Sequence, residues 1–239
     1  MKKIYYEIYE DLRDKIIADV YPYQTYIPSE NALVEMYECS HNTLRRALAV
    51  LRLHGFVQPI RGKGVVVIYQ PHQRANFVLG DIETFKEASA RNGLTSHTSV
   101  TVFEPVVADA RIASRTGFEE GTELLHVERV RQLDGVALIR DKSFFLASAL
   151  PGLSSEIAED SIYAYAEGTL GLEITTSNRT ISMRYATPND RTVLDLLDFN
   201  MLAVVTNRTF LSNGVMFEST QSRHRPDFFT FNDTAVRGF

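Results

Sequence analysis

The stretch from Cys39 to Tyr69, CSHNTLRRALAVLRLHGFVQPIRGKGVVVIY, leaves few folds open. Ser40 is a good helix N-cap, because its hydroxyl can accept from a backbone N–H that the first turn leaves free. Leu44, Ala47, Leu48 and Leu51 then line one helical face, and Gly55 supplies the left-handed residue on which such a helix ends. Two β-rich runs, FVQPI and VVVIY, follow at once, joined by the turn sequence RGKG. A helix that passes directly into a tight hairpin must find its apolar partner elsewhere, and the preceding residues provide one.

In IYYEIYEDLRDKIIADVY the apolar residues Ile4, Ile8, Leu12, Ile16 and Val20 recur every four positions, which predicts a helix stopped by Pro22. PSENALVEMY predicts a second helix, capped by Ser29, with Ala32, Leu33 and Met36 as its buried face. Only Tyr37 to Cys39 separates it from the next helix. The order is therefore helix, helix, tight turn, helix, hairpin: a helix-turn-helix followed by a wing. In such modules the helix after the turn lies in the DNA major groove. Its exposed positions would be Ser40, His41, Asn42, Thr43, Arg45 and Arg46.

Charge agrees with that placement. The chain has 25 basic and 30 acidic residues, a formal net charge of −5. Yet no Asp or Glu occurs between Glu38 and Asp81, while Cys39 to Gly64 holds five Arg or Lys. Residues 1–69 carry nine basic against eight acidic residues, so the acidity belongs to the rest of the chain. A surface laid on phosphates excludes carboxylates, and each Arg or Lys there releases condensed counterions. A solvated helix short of acids would give the same composition, but it would not explain why the run also covers the wing.

The border segment YQPHQRANFV has no clear period and reads as a linker. We therefore expect a DNA-binding domain over 1–69, a linker over 70–78 and a second domain over 79–239. Cys39 is the single cysteine, which rules out an internal disulfide, fits a reducing cytoplasm and reads as a packed small hydrophobe. The N-terminus lacks the apolar core of a secretory signal and no run of about 18 apolar residues occurs, so no membrane association is expected.

The second domain reads as α+β, with five or six antiparallel strands and helices to one side. DIETFKEASARNGL is expected to open it as a helix, and DSIYAYAEGTLG and TPNDRTVLDLLD to supply others. ELLHVERVRQLDGVALIRDKSFFL reads as two strands about Leu133-Asp134-Gly135-Val136. Strand parity puts Arg129 and Arg131 on one face with Leu125, Val127 and Leu133. A turn of three residues would place Asp141 opposite Arg129. In the last hairpin Glu218, Thr220, Ser222 and His224 share a face. Arginines on an apolar face need anionic partners. Parity alone leaves two sources open: a phosphorylated or carboxylated ligand, or an internal ion pair with Asp141.

An enzyme is the rival class. The six His are scattered, with no metal-ligand cluster, no G-x-S-x-G and no Walker loop. His126 and Glu128 could form an acid–base pair, but parity puts both on the strand face expected to be exposed. Arginines without a general base suit binding better than turnover.

The segment IPSENALVEMYECSHNTLRRALAVLRLHGFVQPIRGKGVVV resembles the winged-helix domain of GntR-type bacterial transcription regulators. Pro28, Ser29, Glu30, Leu33, Ser40, Thr43, Arg45, Ala47, Leu48, Leu51, Gly55, Gly62, Gly64 and Val66 match the family pattern. The resemblance implies base reading by Arg45, phosphate contacts from Ser40 and Thr43, and a wing tip, Gly62 and Lys63, approaching the minor groove. Asn31 and His41 stand where the family usually has DNA-touching Arg, so both are carried as candidates with less charge.

Downstream, HVERVRQLDGVALIRDKSFF resembles the signature of the UTRA effector domain of the HutC-type branch, with Asp141 in place of the usual Glu and Phe144 in place of Tyr. That resemblance implies a chorismate-lyase-like sheet that binds a small-molecule effector and needs no cofactor. Its expected site is Thr84, Phe85, Lys86, Arg129, Arg131, Asp141, Ser161, Tyr163, Glu218, Ser222 and His224. DSIYAYAEGTLGLEIT and ESTQSRHRPDFFTFNDTAVRG are most similar to repressors of trehalose operons, which implies trehalose 6-phosphate as effector. Another effector such as an amino-sugar phosphate, or an enzyme on the chorismate-lyase-like fold, are the alternatives. A single winged helix covers little DNA, so a homodimer paired through the C-terminal domain on a palindromic operator is expected.

Overall fold

The computed structural model describes residues 4–70, 85, 86, 89 and 93–231. Its described residues divide into two compact units, one over 4–70 and one over 85–231. Of the expected linker only Gln70 is among the described residues; 71–78 and Thr84 lie outside them. Of DIETFKEASARNGL the described residues are Phe85, Lys86 and Ser89, all helical, and Gly93 and Leu94, which are not.

In the first unit α1 (Ile4–Ile17), α2 (Glu30–Met36) and α3 (His41–Leu53) precede the hairpin β1 (Val57–Ile60) and β2 (Gly64–Val67). Ser29 accepts from the Ala32 N–H and Ser40 from the Thr43 N–H, so both caps form as the sequence suggests. Gly55, at φ 75°, ends α3 in the left-handed conformation. Ile8, Leu12 and Ile16 of α1 pack with Leu33 of α2 and with Leu44, Leu48 and Leu51 of α3. Cys39 packs at the edge of that cluster.

Two expectations fail here. The helix ends at Ile17, well before Pro22, and Val20 is 59% exposed. Asp19 sits at φ 59°, which breaks the helix before the four-residue spacing can carry Val20 inward. On α2 only Leu33 is buried, and Met36 is 52% exposed. One turn on from Leu33 the inward position falls to Tyr37, which packs against the same cluster in place of Met36.

The second unit is built on a six-stranded antiparallel sheet in the order β3-β4-β5-β8-β7-β6. The strands are β3 (Ser96–Val107), β4 (Glu123–Leu133), β5 (Val136–Leu146), β6 (Ile174–Tyr185), β7 (Met201–Leu211) and β8 (Met216–His224). Helices α4 (Ala110–Thr116), α5 (Ser155–Asp160), α6 (Ile162–Ala164) and α7 (Pro188–Val193) lie between them in sequence. They cover both faces, not one. Ala158 and Ile162 of α5 and α6 pack on Val127 and Phe145. The opposite face meets Phe118 and Ile112 through Leu124, and Leu194 and Leu196 through Val130. That second cover buries His126 and Glu128, expected to be exposed, to 8% and 7%.

Register reaches the expected pairing by another route. The β4–β5 turn has two residues, Asp134 and Gly135, with Leu133 opposite Val136. A shift between Arg131 and Gln132 then adds one residue on β5, and Arg129 comes to lie opposite Asp141. A bulge does what a three-residue turn was expected to do.

Candidate functional site

The start of α3, the start of α2 and the wing tip carry the candidate DNA-binding residues. Ser40 spends its hydroxyl on the α3 cap and lies 2.8 Å from the Thr43 hydroxyl. His41, Asn42, Arg45 and Arg46 are exposed on α3, and Asn31 is exposed on α2. The Arg46 guanidinium stacks 4.5 Å over the Tyr5 ring, which ties it to α1. Gly62 sits at φ 73° with open space around it, and Lys63 beside it is exposed.

Sequence reading missed Glu30 as a part of this surface. Its carboxylate accepts from Arg45 Nε at 3.1 Å and lies 3.9 Å from His41 Nδ1. The run after Glu38 is free of acids in sequence, but the fold returns one carboxylate to it from α2. Both Arg45 and Glu30 are well exposed, so solvent weakens the pair and it holds the guanidinium in place more than it neutralises it.

The second candidate site lies on the sheet face that carries Val127 and Phe145. Strand pairing puts Arg129, Asp141 and Ser222 side by side across β4, β5 and β8. The next pleat holds Ser143, Thr220 and Asn207, and the one after it Phe145, Glu218 and Thr209. The polar face read from the last hairpin is therefore real: Glu218, Thr220 and His224 are each below 9% exposed, and Ser222 is half-buried beside them.

Asp141 serves both arginines. Its carboxylate is 2.5 Å from Arg131 Nε and 3.7 Å from Arg129 Nη2. Burial works against its ionisation, but Arg131 and Arg129, with a hydrogen bond from Ser222, hold its pKa at about 2. Arg129 is the deeper cation. Burial and then the Arg131 charge pull its pKa down to about 10, against the attraction of Asp141 and Glu218. Its Nη1 is 3.4 Å from the Ala158 carbonyl, and its buried Nε has no hydrogen-bond partner among the described residues. Arg131 also stacks 4.8 Å over the Phe85 ring.

Glu218 is satisfied by neutral donors. Tyr163 donates to one oxygen at 2.5 Å and Thr220 to the other at 2.6 Å. Burial, then the Glu218 charge, raises the Tyr163 pKa well above the usual phenol value, so the phenol stays protonated. His224 is buried at the end of β8, and burial lowers its pKa to about 4. Ser161 caps α6 by accepting from the Ala164 N–H. Lys86 pairs with Asp160 in the open, at 2.6 Å.

On the opposite face His126 stands between Glu104, 2.9 Å from Nδ1, and Glu128, 3.2 Å from Nε2. Arg140 then links Glu128 to Asp190, and Arg223 binds Asp190 from the other side. This is a structural charge network in which Glu128 and Asp190 each have a cation, Arg140 and Lys142 for the first and Arg140 and Arg223 for the second. Among the described residues no group of three or more His, Cys, Asp or Glu is placed to hold a metal ion.

Comparison with known proteins agrees with both units. Residues 4–67 match the family described as bacterial regulatory proteins, gntR family, and residues 91–230 match the UTRA domain. The HTH-type transcriptional regulator TreR of Bacillus subtilis is 36% identical over 231 residues, covering 97% of this chain and 96% of that protein. The HTH-type transcriptional regulator GmuR of the same organism is 27% identical over 239 residues, covering 97% of this chain and 98% of that protein. The solved effector-binding domain of the B. subtilis trehalose repressor TreR is 37% identical, with a TM-score of 0.54 over 60% of this chain and 99% of that one. The B. subtilis regulator YydK, at 19% identity, shares the fold with a TM-score of 0.79 over 98% of this chain and 100% of that one.

Proposed function

Since the chain belongs to the gntR family of bacterial regulatory proteins and is a DNA-binding regulator with a UTRA domain, not an enzyme, we propose that it represses a trehalose utilisation operon. Trehalose 6-phosphate releases it from operator DNA. The observation that carries the effector half is Arg129. A buried guanidinium with an unpartnered Nε and contacts no closer than 3.4 Å is poorly satisfied by the protein. Such a group is costly to bury unless something else completes its hydrogen bonds, and a phosphate does so with charge. The polar residues around it, Asp141, Ser222 and Tyr163, suit the hydroxyls of a sugar. Similarity to TreR over nearly the whole chain, and to the effector-binding domain of the B. subtilis trehalose repressor, supports this sugar.

On the DNA side, Arg45 reads a base edge, held in place by Glu30, and Arg pairs bidentately with guanine. Asn31, Ser40, His41, Asn42, Thr43 and Arg46 contact or position the backbone. Gly62 and Lys63 bring the wing to the minor groove. The protein acts in the cytoplasm as a homodimer joined through its UTRA units on a palindromic operator. Phosphate binding favours an arrangement of the two winged helices that no longer fits both half-sites.

A thermal-shift titration tests the effector. Trehalose 6-phosphate should raise the melting temperature by mass action, while free trehalose and glucosamine 6-phosphate should not. A shift with glucosamine 6-phosphate and none with trehalose 6-phosphate would overturn the assignment.

A further inference from the structure

We propose that Asn207 determines effector specificity, by accepting a hydrogen bond from a hydroxyl of the sugar at the end away from the phosphate. The inference rests on the effector pocket proposed above and goes beyond the residues assigned to it.

Asn207 is on β7, paired with Thr220 of β8 on one side and Arg179 of β6 on the other. It shares a face with Thr209, whose hydroxyl lies 3.3 Å from that of Tyr163, so its side chain projects on the same side as the pocket residues. Its Oδ1 is buried and has no hydrogen-bond partner among the described residues. The contrast with its neighbours is sharp. Thr220 donates to Glu218 and touches Ser143 at 2.8 Å; Tyr163 donates to Glu218; Thr209 reaches both Tyr163 and Ser177. That wall closes its own hydrogen bonds and leaves Asn207 out. A buried acceptor left unmade costs about 1–3 kcal/mol, so its persistence asks for a donor from outside the chain.

Its position also lets one ligand meet both unmet groups. Arg129 pairs through Asp141 and Ser222 to Val205, three strands away and one pleat along from Asn207. The unpartnered donor on Arg129 and the unpartnered acceptor on Asn207 therefore stand on one face of the sheet, and a sugar phosphate offers a phosphate to the first and a hydroxyl to the second.

The test uses the full chain with Asn207→Leu, close in shape but apolar. Calorimetric titration with trehalose 6-phosphate and the melting temperature without ligand are read together. Asn207→Leu should weaken binding by about tenfold or more and leave the unliganded melting temperature unchanged or higher, since it removes an unmet buried acceptor. Equal affinity in wild type and Asn207→Leu would overturn the proposal alone. A fall in the unliganded melting temperature of Asn207→Leu would assign Asn207 a structural part and overturn it as well. If the wild type binds no trehalose 6-phosphate, the effector assignment falls first and this inference with it.

Discussion

Replacing Asp141 by Asn asks whether the pocket is a charge cluster or a set of independently solvated arginines. The carboxylate lies 2.5 Å from Arg131 and 3.7 Å from Arg129 and is almost wholly buried. Removing one partner of such a buried pair typically costs about 3–5 kcal/mol, because the remaining charges stay buried without compensation. For a unit of this size each kcal/mol moves the melting temperature by about 2–4 °C, so a fall of about 6–20 °C is expected for the C-terminal transition in calorimetry. Inorganic phosphate should restore part of the loss by supplying an anion. Acid gives a second signature. The folded pKa of Asp141 is about 2, below the ordinary carboxylate value, so the unfolded chain binds the proton first as pH falls. Its stabilisation is full above about pH 4 and disappears as pH drops through about 2, and the variant should lack that component. A loss below about 1 kcal/mol, with no response to phosphate, would refute the reasoning.

Other outcomes follow from single contacts. Arg45→Ala should cost about 1–3 kcal/mol in operator affinity and relax preference at one base position, measured by competition with variant operators. Glu30→Gln frees Arg45 and removes a charge that faces DNA, so binding to random-sequence DNA should tighten and its salt dependence steepen. Tyr163→Phe leaves one oxygen of buried Glu218 without its donor and should destabilise the C-terminal unit by about 1–3 kcal/mol in urea unfolding. His224 is neutral when folded, with a pKa near 4, while the unfolded imidazole takes its proton near pH 6.5. The unfolded state binds more protons between those values, so stability falls as pH drops through that window, and His224→Gln should flatten the slope.

The winged helix was legible because its signals are local. Ser29 and Ser40 cap the helices that follow them, and Gly55 takes the left-handed backbone that ends α3. Val20 and Met36 were misread because a four-residue spacing says which side a residue faces, not whether the helix lasts or meets a partner there. The carboxylate of Glu30 beside Arg45 could not be read from an acid-free run, since it arrives from another helix. In the sheet, parity put Arg129, Arg131, Glu218 and His224 on the right face, because alternation is fixed along a strand. Parity does not show that the other face is covered, so His126 and Glu128 are expected to be exposed and are in fact buried. Asn207 had no sequence signal at all; what singles it out is an unmet hydrogen bond, which exists only in three dimensions.

The central claim is that ligand on the UTRA unit and operator on the winged helix oppose each other. The direct measurement is the affinity of the full chain for a labelled operator across a titration of trehalose 6-phosphate, paired with ligand affinity measured with and without operator. Linkage requires the two factors to be equal, so the account predicts that operator weakens ligand binding by the same ratio as ligand weakens operator binding. Tight ligand binding that is indifferent to operator would contradict it.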